Sequence, residues 1–167
     1  MPFDIVTCAV LEHFTTNPPA TAARWYGPWN MILSALFPIT QGYMVTPHRR
    51  CPDHPESHFP IIEVVKMTTM TPLKFHCVLI VEIKSSQDWE SGIPALQCQL
   101  NQQADAAFAG TTHSKVYWIG VIGPHWRYGE KEDDGQDARP LIGWHDATHD
   151  QASFDDLQTL KHLVSAL

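Results

Sequence analysis

The sequence predicts an α/β (α+β) protein, one mixed central sheet flanked by helices. Three observations predict it. Two β-branched runs, "IIEVVKM" and "CVLIVEIK", lie close enough to form a hairpin. Stretches with apolar residues at helical spacing stand before and after them. Strands grouped between helices in this way fit a single sheet with helical cover.

The elements follow in order. From Thr21 to Phe37, Trp29, Ile32, Leu33, Leu36 and Phe37 recur at helical spacing, Gly27-Pro28 marks a kink or restart, and Pro38 ends the helix. "GYMVT" is a short strand and "CPDHPESHFP" a proline-studded loop. The strand over 59–67 turns through Thr69 to Pro72 into a strand over 76–84, which should be central and antiparallel to it. Residues 91–110 read as a helix, with Ser91 as N-cap, Pro94 in the first turn, Leu96, Leu100, Ala104 and Phe108 facing the core, and Gly110 ending it. "SKVYWIGVIG" is a further strand and "RYGEKEDDGQDARP" a polar loop. The last fifteen residues form an amphipathic helix in which Phe154, Leu157, Leu160 and Val164 share a face, with Ser153 and Asp156 resembling a capping box.

At 167 residues the chain is expected to be a single domain, 1–167, with a real core. No apolar run reaches the ~20 residues that cross a bilayer, and the N-terminal stretch lacks a basic n-region, so no membrane partner and no signal peptide are expected. Four cysteines without framework spacing suggest free thiols in a reducing, intracellular setting. A net charge of −7 with eleven Lys and Arg argues against a general, tight binder of DNA or RNA, because phosphate contacts need a basic stripe.

One placement breaks the apolar pattern. Glu82 and Lys84 stand two apart at the end of a greasy strand, so they share a face. Either they form an ion pair with its heads in water, or they belong to a site. The element order, with "VEIK" closing the third strand, resembles the core of the PD-(D/E)xK nuclease superfamily over roughly residues 21–123, Glu82-Ile83-Lys84 matching the (D/E)xK half. The chain is also similar to small uncharacterised proteins of mushroom-forming fungi, a likeness that fixes no activity. The superfamily resemblance implies a restriction-endonuclease-like αβββαβ core and a metal-dependent nuclease that hydrolyses phosphodiester bonds of DNA or RNA. It implies that Glu82 ligates Mg²⁺ or Mn²⁺, that Lys84 places the attacking water, and that a glutamine on the next helix, for which Gln99 is preferred over Gln102 and Gln103, completes the set. A second acid is expected on the preceding strand. Ile61 occupies the position after Pro60, leaving Glu63, of the same parity, or Asp53 in the loop as further metal ligands. The Thr21–Phe37 helix carries no acid. These departures make a catalytically inactive binding or interaction module the alternative.

Other patterns carry less. Cys51, His54 and His58, and His145, Asp146, His149 and Asp150, have metal-like spacing, but neither set has the paired spacing of a zinc finger, so structural zinc is disfavoured. "GPHWRYG" reads as a loop packed over a core Trp118. The alternative is a ring-stacking loop in which His125, Trp126, Arg127 and Tyr128 meet single-stranded nucleic acid or another planar ligand. Phosphate-loop and serine-hydrolase motifs are absent from the chain.

Overall fold

A computed structural model describes residues 3–48, 61–86, 89–109 and 113–167. Among them are four α-helices and a six-stranded mixed sheet: α1 (Ile5–Thr16), α2 (Tyr26–Leu36), β1 (Tyr43–His48), β2 (Ile61–Met70), β3 (Leu73–Lys84), α3 (Trp89–Phe108), β4 (Lys115–Ile122), β5 (His125–Glu132), β6 (Arg139–Pro140) and α4 (Gln151–Ser165). The strands lie side by side in chain order. Only β3 and β4 run parallel, joined over the sheet by α3 as a parallel pair requires. The stretch from α2 to β4 is thus the expected helix–strand–strand–strand–helix–strand, with β3 at the centre and β2 antiparallel beside it.

The β-branched runs form strands because both faces of the sheet are covered. Leu79, Val81 and Ile83 are sealed against one helical layer with Trp25, Trp29, Leu33 and the α4 residues Leu157, Leu160 and Val164. On the other face, Ile61, Ile80 and Val116 pack under Ala104 and Phe108 of α3, while Trp118 and Ile122 pack under Leu96 and Leu100. Gly120 lets α3 come this close, since a Cβ there would stand 2.8 Å from Leu96 Cδ2. A bulge sets two residues of β3, Val78 and Leu79, against Val64. It turns Val78 to the same side as Leu79 and leaves Cys77 with Ile80 on the α3 side.

Several expectations change. The N-terminal stretch forms α1, capped by Asp4, whose side chain accepts from Val6 and Thr7 N–H at 3.0 Å each. Of residues 127–140 only 133–138 form the polar loop; 127–132 belong to β5 and 139–140 to β6. Gly123-Pro124 makes a two-residue turn with φ +60° at Gly123, the glycine position of a type II′ hairpin, and β5 returns along β4. The polar residues of β5 alternate with Trp126 and Tyr128, which enter the core. The terminal helix is capped by Asp150, not Ser153: Asp150 accepts from the Ser153 N–H at 2.7 Å. Ser153 is itself buried, its hydroxyl donating to Ala147 O at 2.6 Å. Ser91 is exposed inside α3, which begins at Trp89.

Candidate functional site

At the carboxyl end of β3 the register fixes which side chains meet. Glu82 pairs with Gly120 and Lys84 with Ile122, so both point to the α3 side of the sheet. Lys84 Nζ lies 3.6 Å from Glu82 Oε1, with side-chain exposures of 11% and 4%. The heads are therefore not in water, which sets aside the solvated ion pair. Burial pushes the Glu82 carboxyl up to about 7, against the opposing pull of the Lys84 ammonium. A carboxyl poised near neutrality beside an ammonium is the electrostatic mark of many functional sites.

Glu63 joins this face from β2. It pairs with Ile80, which makes it the diagonal neighbour of Glu82, about 7–8 Å away between Cα atoms. It is half-buried, and after burial itself its charge is the next cause that lifts the Cys77 thiol to about 12. Ile61, one residue beyond the Ile62–Val81 pair, is buried among apolar neighbours on the same face. The position after Pro60 is thus filled by packing, with no acid.

Gln99 approaches from above. At 100° per residue, Leu96, Leu100 and Ala104 define the side of α3 pressed on the sheet. Gln97 and Asn101 lie to one flank and hold Ala138 and Asp137 beyond β5. Gln99 stands on the opposite flank, away from β5, and its Oε1 is buried with no hydrogen-bond partner among the described residues. The sequence did not point to Tyr26. Its hydroxyl is buried at the start of α2 with no partner among the described residues, and its pKa is raised by burial and then by the Glu82 charge. A tyrosine in "RWYGPW" reads as core, and only the fold places it in reach of Glu82.

Asp53 lies outside the described residues, as do Cys51, His54 and His58. Among the described residues, no three His, Cys, Asp or Glu side chains gather to hold a metal ion. The "HDATHD" residues go separate ways. His145 bonds Asp156 at 2.7 Å, Asp146 bonds His125 at 3.0 Å, His149 meets the Thr15 hydroxyl at 3.4 Å, and Asp150 caps α4.

The "GPHWRYG" stretch divides between the two faces. Trp118 is core, as expected, but Trp126 and Tyr128 go to the opposite core and only His125 and Arg127 stay on the Glu82 side. No helix among the described residues is long and apolar enough to cross a membrane. No protein-family profile, curated protein or solved structure matches the chain.

Proposed function

We propose that the α3-side end of β3 is the active site of a metal-dependent nuclease-like enzyme that hydrolyses phosphodiester bonds. The observation that carries this is the sequestered Glu82–Lys84 pair, with Glu63 on the same face and the unpartnered Gln99 amide oxygen above it. The donor set suits Mg²⁺ or Mn²⁺: carboxylate and amide oxygens are hard ligands, and Mg²⁺ is commonly held by one or two carboxylates with water and substrate phosphate supplying the rest. Glu82 and Glu63 would hold the ion, and Asp53 is a further carboxylate for that role. When bound, the ion stabilises the charge that builds on phosphate as water attacks. Lys84 places that water by donating a hydrogen bond, and Gln99 fixes the lysine or a phosphate oxygen. Gly120, opposite Glu82, carries no side chain, and Leu96 and Leu100 of α3 cover it, so the immediate neighbour of Glu82 on β4 adds no polar group. The free thiols of Cys8, Cys77 and Cys98 suit an intracellular setting.

A catalytically silent interaction module is the second reading. It is favoured by the apolar Ile61 beside Glu82 and by a carboxyl that is about half-protonated at pH 7 before any cation arrives.

Nuclease assays with Mn²⁺ on single- and double-stranded DNA and RNA separate the two. Cleavage by the wild type, lost in Lys84→Met with metal affinity retained, and lost in Glu82→Gln together with metal affinity, supports the enzyme. A wild type that neither cleaves nor binds metal supports the silent module, and cleavage unchanged in both variants removes these residues from the mechanism.

A further inference from the structure

Arg127 occupies the same row of the sheet as Glu82: Glu82 pairs with Gly120, and Gly120 with Arg127. With neighbouring strands about 4.8 Å apart, the two Cα atoms stand about 10 Å apart, one on either side of Gly120. Leu96 and Leu100 fill the space over Gly120 between them.

The guanidinium is held in an unusual way for this chain. Lys115, Lys131 and Arg139 each meet a carboxylate. The Arg127 guanidinium has no ion pair or hydrogen bond with any described residue, and its Nε is shut off from solvent with no partner among them. It is held by rings: its Cζ lies 4.5 Å from the centre of Trp144 and 5.9 Å from that of Trp118. Trp144 meets Trp89 edge-on at 5.1 Å, and Trp89 tilts against His125 at 4.2 Å. Trp118 is sealed, whereas Trp89, Trp144 and Arg127 are partly open to solvent.

Packing alone would be served by an aliphatic side chain on the indoles. An arginine there adds a planar fork of N–H donors whose natural acceptor is a phosphate or carboxylate. The two half-buried indoles beside it, already in contact with Arg127 and His125, keep part of their apolar ring surface open, which suits a base and not a sugar–phosphate backbone. Anion and ring together describe a nucleotide unit whose base is unstacked. A duplex keeps its bases out of reach of such rings.

We propose that Arg127, Trp144 and Trp89 form a subsite for one nucleotide of a single-stranded nucleic acid, its phosphate on the guanidinium and its base against the indoles. This deepens the phosphodiesterase reading and rests on it for the identity of the bond that is cut; the binding itself does not.

The test is fluorescence anisotropy of labelled oligothymidylate and oligouridylate in the presence of chelator, so that no cleavage occurs. The wild type should bind at least one of them, more weakly as salt rises, and bind a duplex less well. Arg127→Gln and Trp144→Leu should each weaken binding by about tenfold, while Trp144→Phe keeps most of it. Arg127→Lys, which preserves charge but loses the fork and the stacking, should fall between, and it serves as the readout should Arg127→Gln fail to fold. Failure of the wild type to bind either strand, equal binding of duplex, or unchanged affinity in the folded Arg127 and Trp144 variants would overturn the proposal. Binding without cleavage under Mn²⁺ keeps the subsite and removes the phosphodiesterase. Cleavage whose KM is indifferent to Arg127 and Trp144 does the reverse.

Discussion

Two buried glutamates, Glu82 on β3 and Glu130 on β5, answer burial in opposite ways. Glu130 accepts from Lys115 Nζ at 2.8 Å and from Arg139 Nε at 2.9 Å, and the Arg139 fork closes on the same carboxylate. Burial pushes its carboxyl up, but these hydrogen bonds outweigh burial and hold it below the usual range. Glu82, as little exposed but set deeper in the fold, meets the Lys84 ammonium at 3.6 Å, beyond good hydrogen-bond length, and burial wins. The difference teaches that low exposure alone does not mark a site. Glu130 is a carboxylate whose charge is already spent on the fold, whereas Glu82 keeps its charge available to a cation or a proton.

The comparison breaks most visibly in activity. Lys84→Met should lower Mn²⁺-dependent cleavage by about 10²–10⁴-fold, the usual worth of a group that positions or moves a proton. Glu130→Gln should leave the rate per folded molecule unchanged. Initial-rate assays on purified, folded variants decide it, and a Lys84→Met enzyme with wild-type rate would dissolve the distinction.

Stability against pH should separate the two next. A carboxyl raised to about 7 in the fold contributes stability that is fully present below its unfolded value and lost as pH rises through 7. Replacing Glu82 by neutral Gln removes that dependence, so the variant should gain about 2–3 kcal/mol on the wild type between pH 5 and pH 8. Glu130→Gln has the opposite sign. A depressed carboxyl contributes stability that is present above its unfolded value and lost as pH falls through the folded one. That variant should cost about 1–3 kcal/mol at pH 7 and progressively less in acid. Urea unfolding across this pH range reads both, and parallel pH profiles for the two variants would contradict the contrast.

The sequence carried the Glu82 half of this contrast and not the Glu130 half. Charged residues two apart at the end of "CVLIV" stand out against a strand that is otherwise apolar, so Glu82 and Lys84 were legible, as was the sheet around them. Residues 127–140 looked like a loop because their charged side chains are as dense as in any exposed segment. The pairing of Glu130 with Lys115 on β4 and with Arg139 on β6, which only the strand register brings beside it, is what lets it be buried. The turn signal, Gly123-Pro124, was present but short. Helix α1 escaped because its exposed side is apolar too, with Ile5 and Val6 open to solvent, which blurs the helical stripe. Tyr26, Trp89 and Trp144 sit in sequence contexts that read as core, and only tertiary placement brings them near the charged end of β3.

The smallest expected effect sharpens the Glu130 side. The Arg139 side chain is 67% exposed, so Arg139→Gln should destabilise far less than Glu130→Gln, Lys115 keeping the carboxylate charged. Thermal unfolding of this variant beside Glu130→Gln ranks the two partners, and a larger loss for Arg139→Gln would show that the fork, not the ammonium, holds Glu130.

The most direct measurement is the titration of the Glu82 carboxyl itself, by carbon-detected NMR of the side chain, assigned through Glu82→Gln, with and without saturating Mg²⁺. The account predicts a midpoint of about 7 in chelator and a fall of about one unit or more with Mg²⁺, because a bound cation favours the ionised form. A midpoint in the ordinary carboxylate range, or one near 7 that Mg²⁺ does not move, would contradict it.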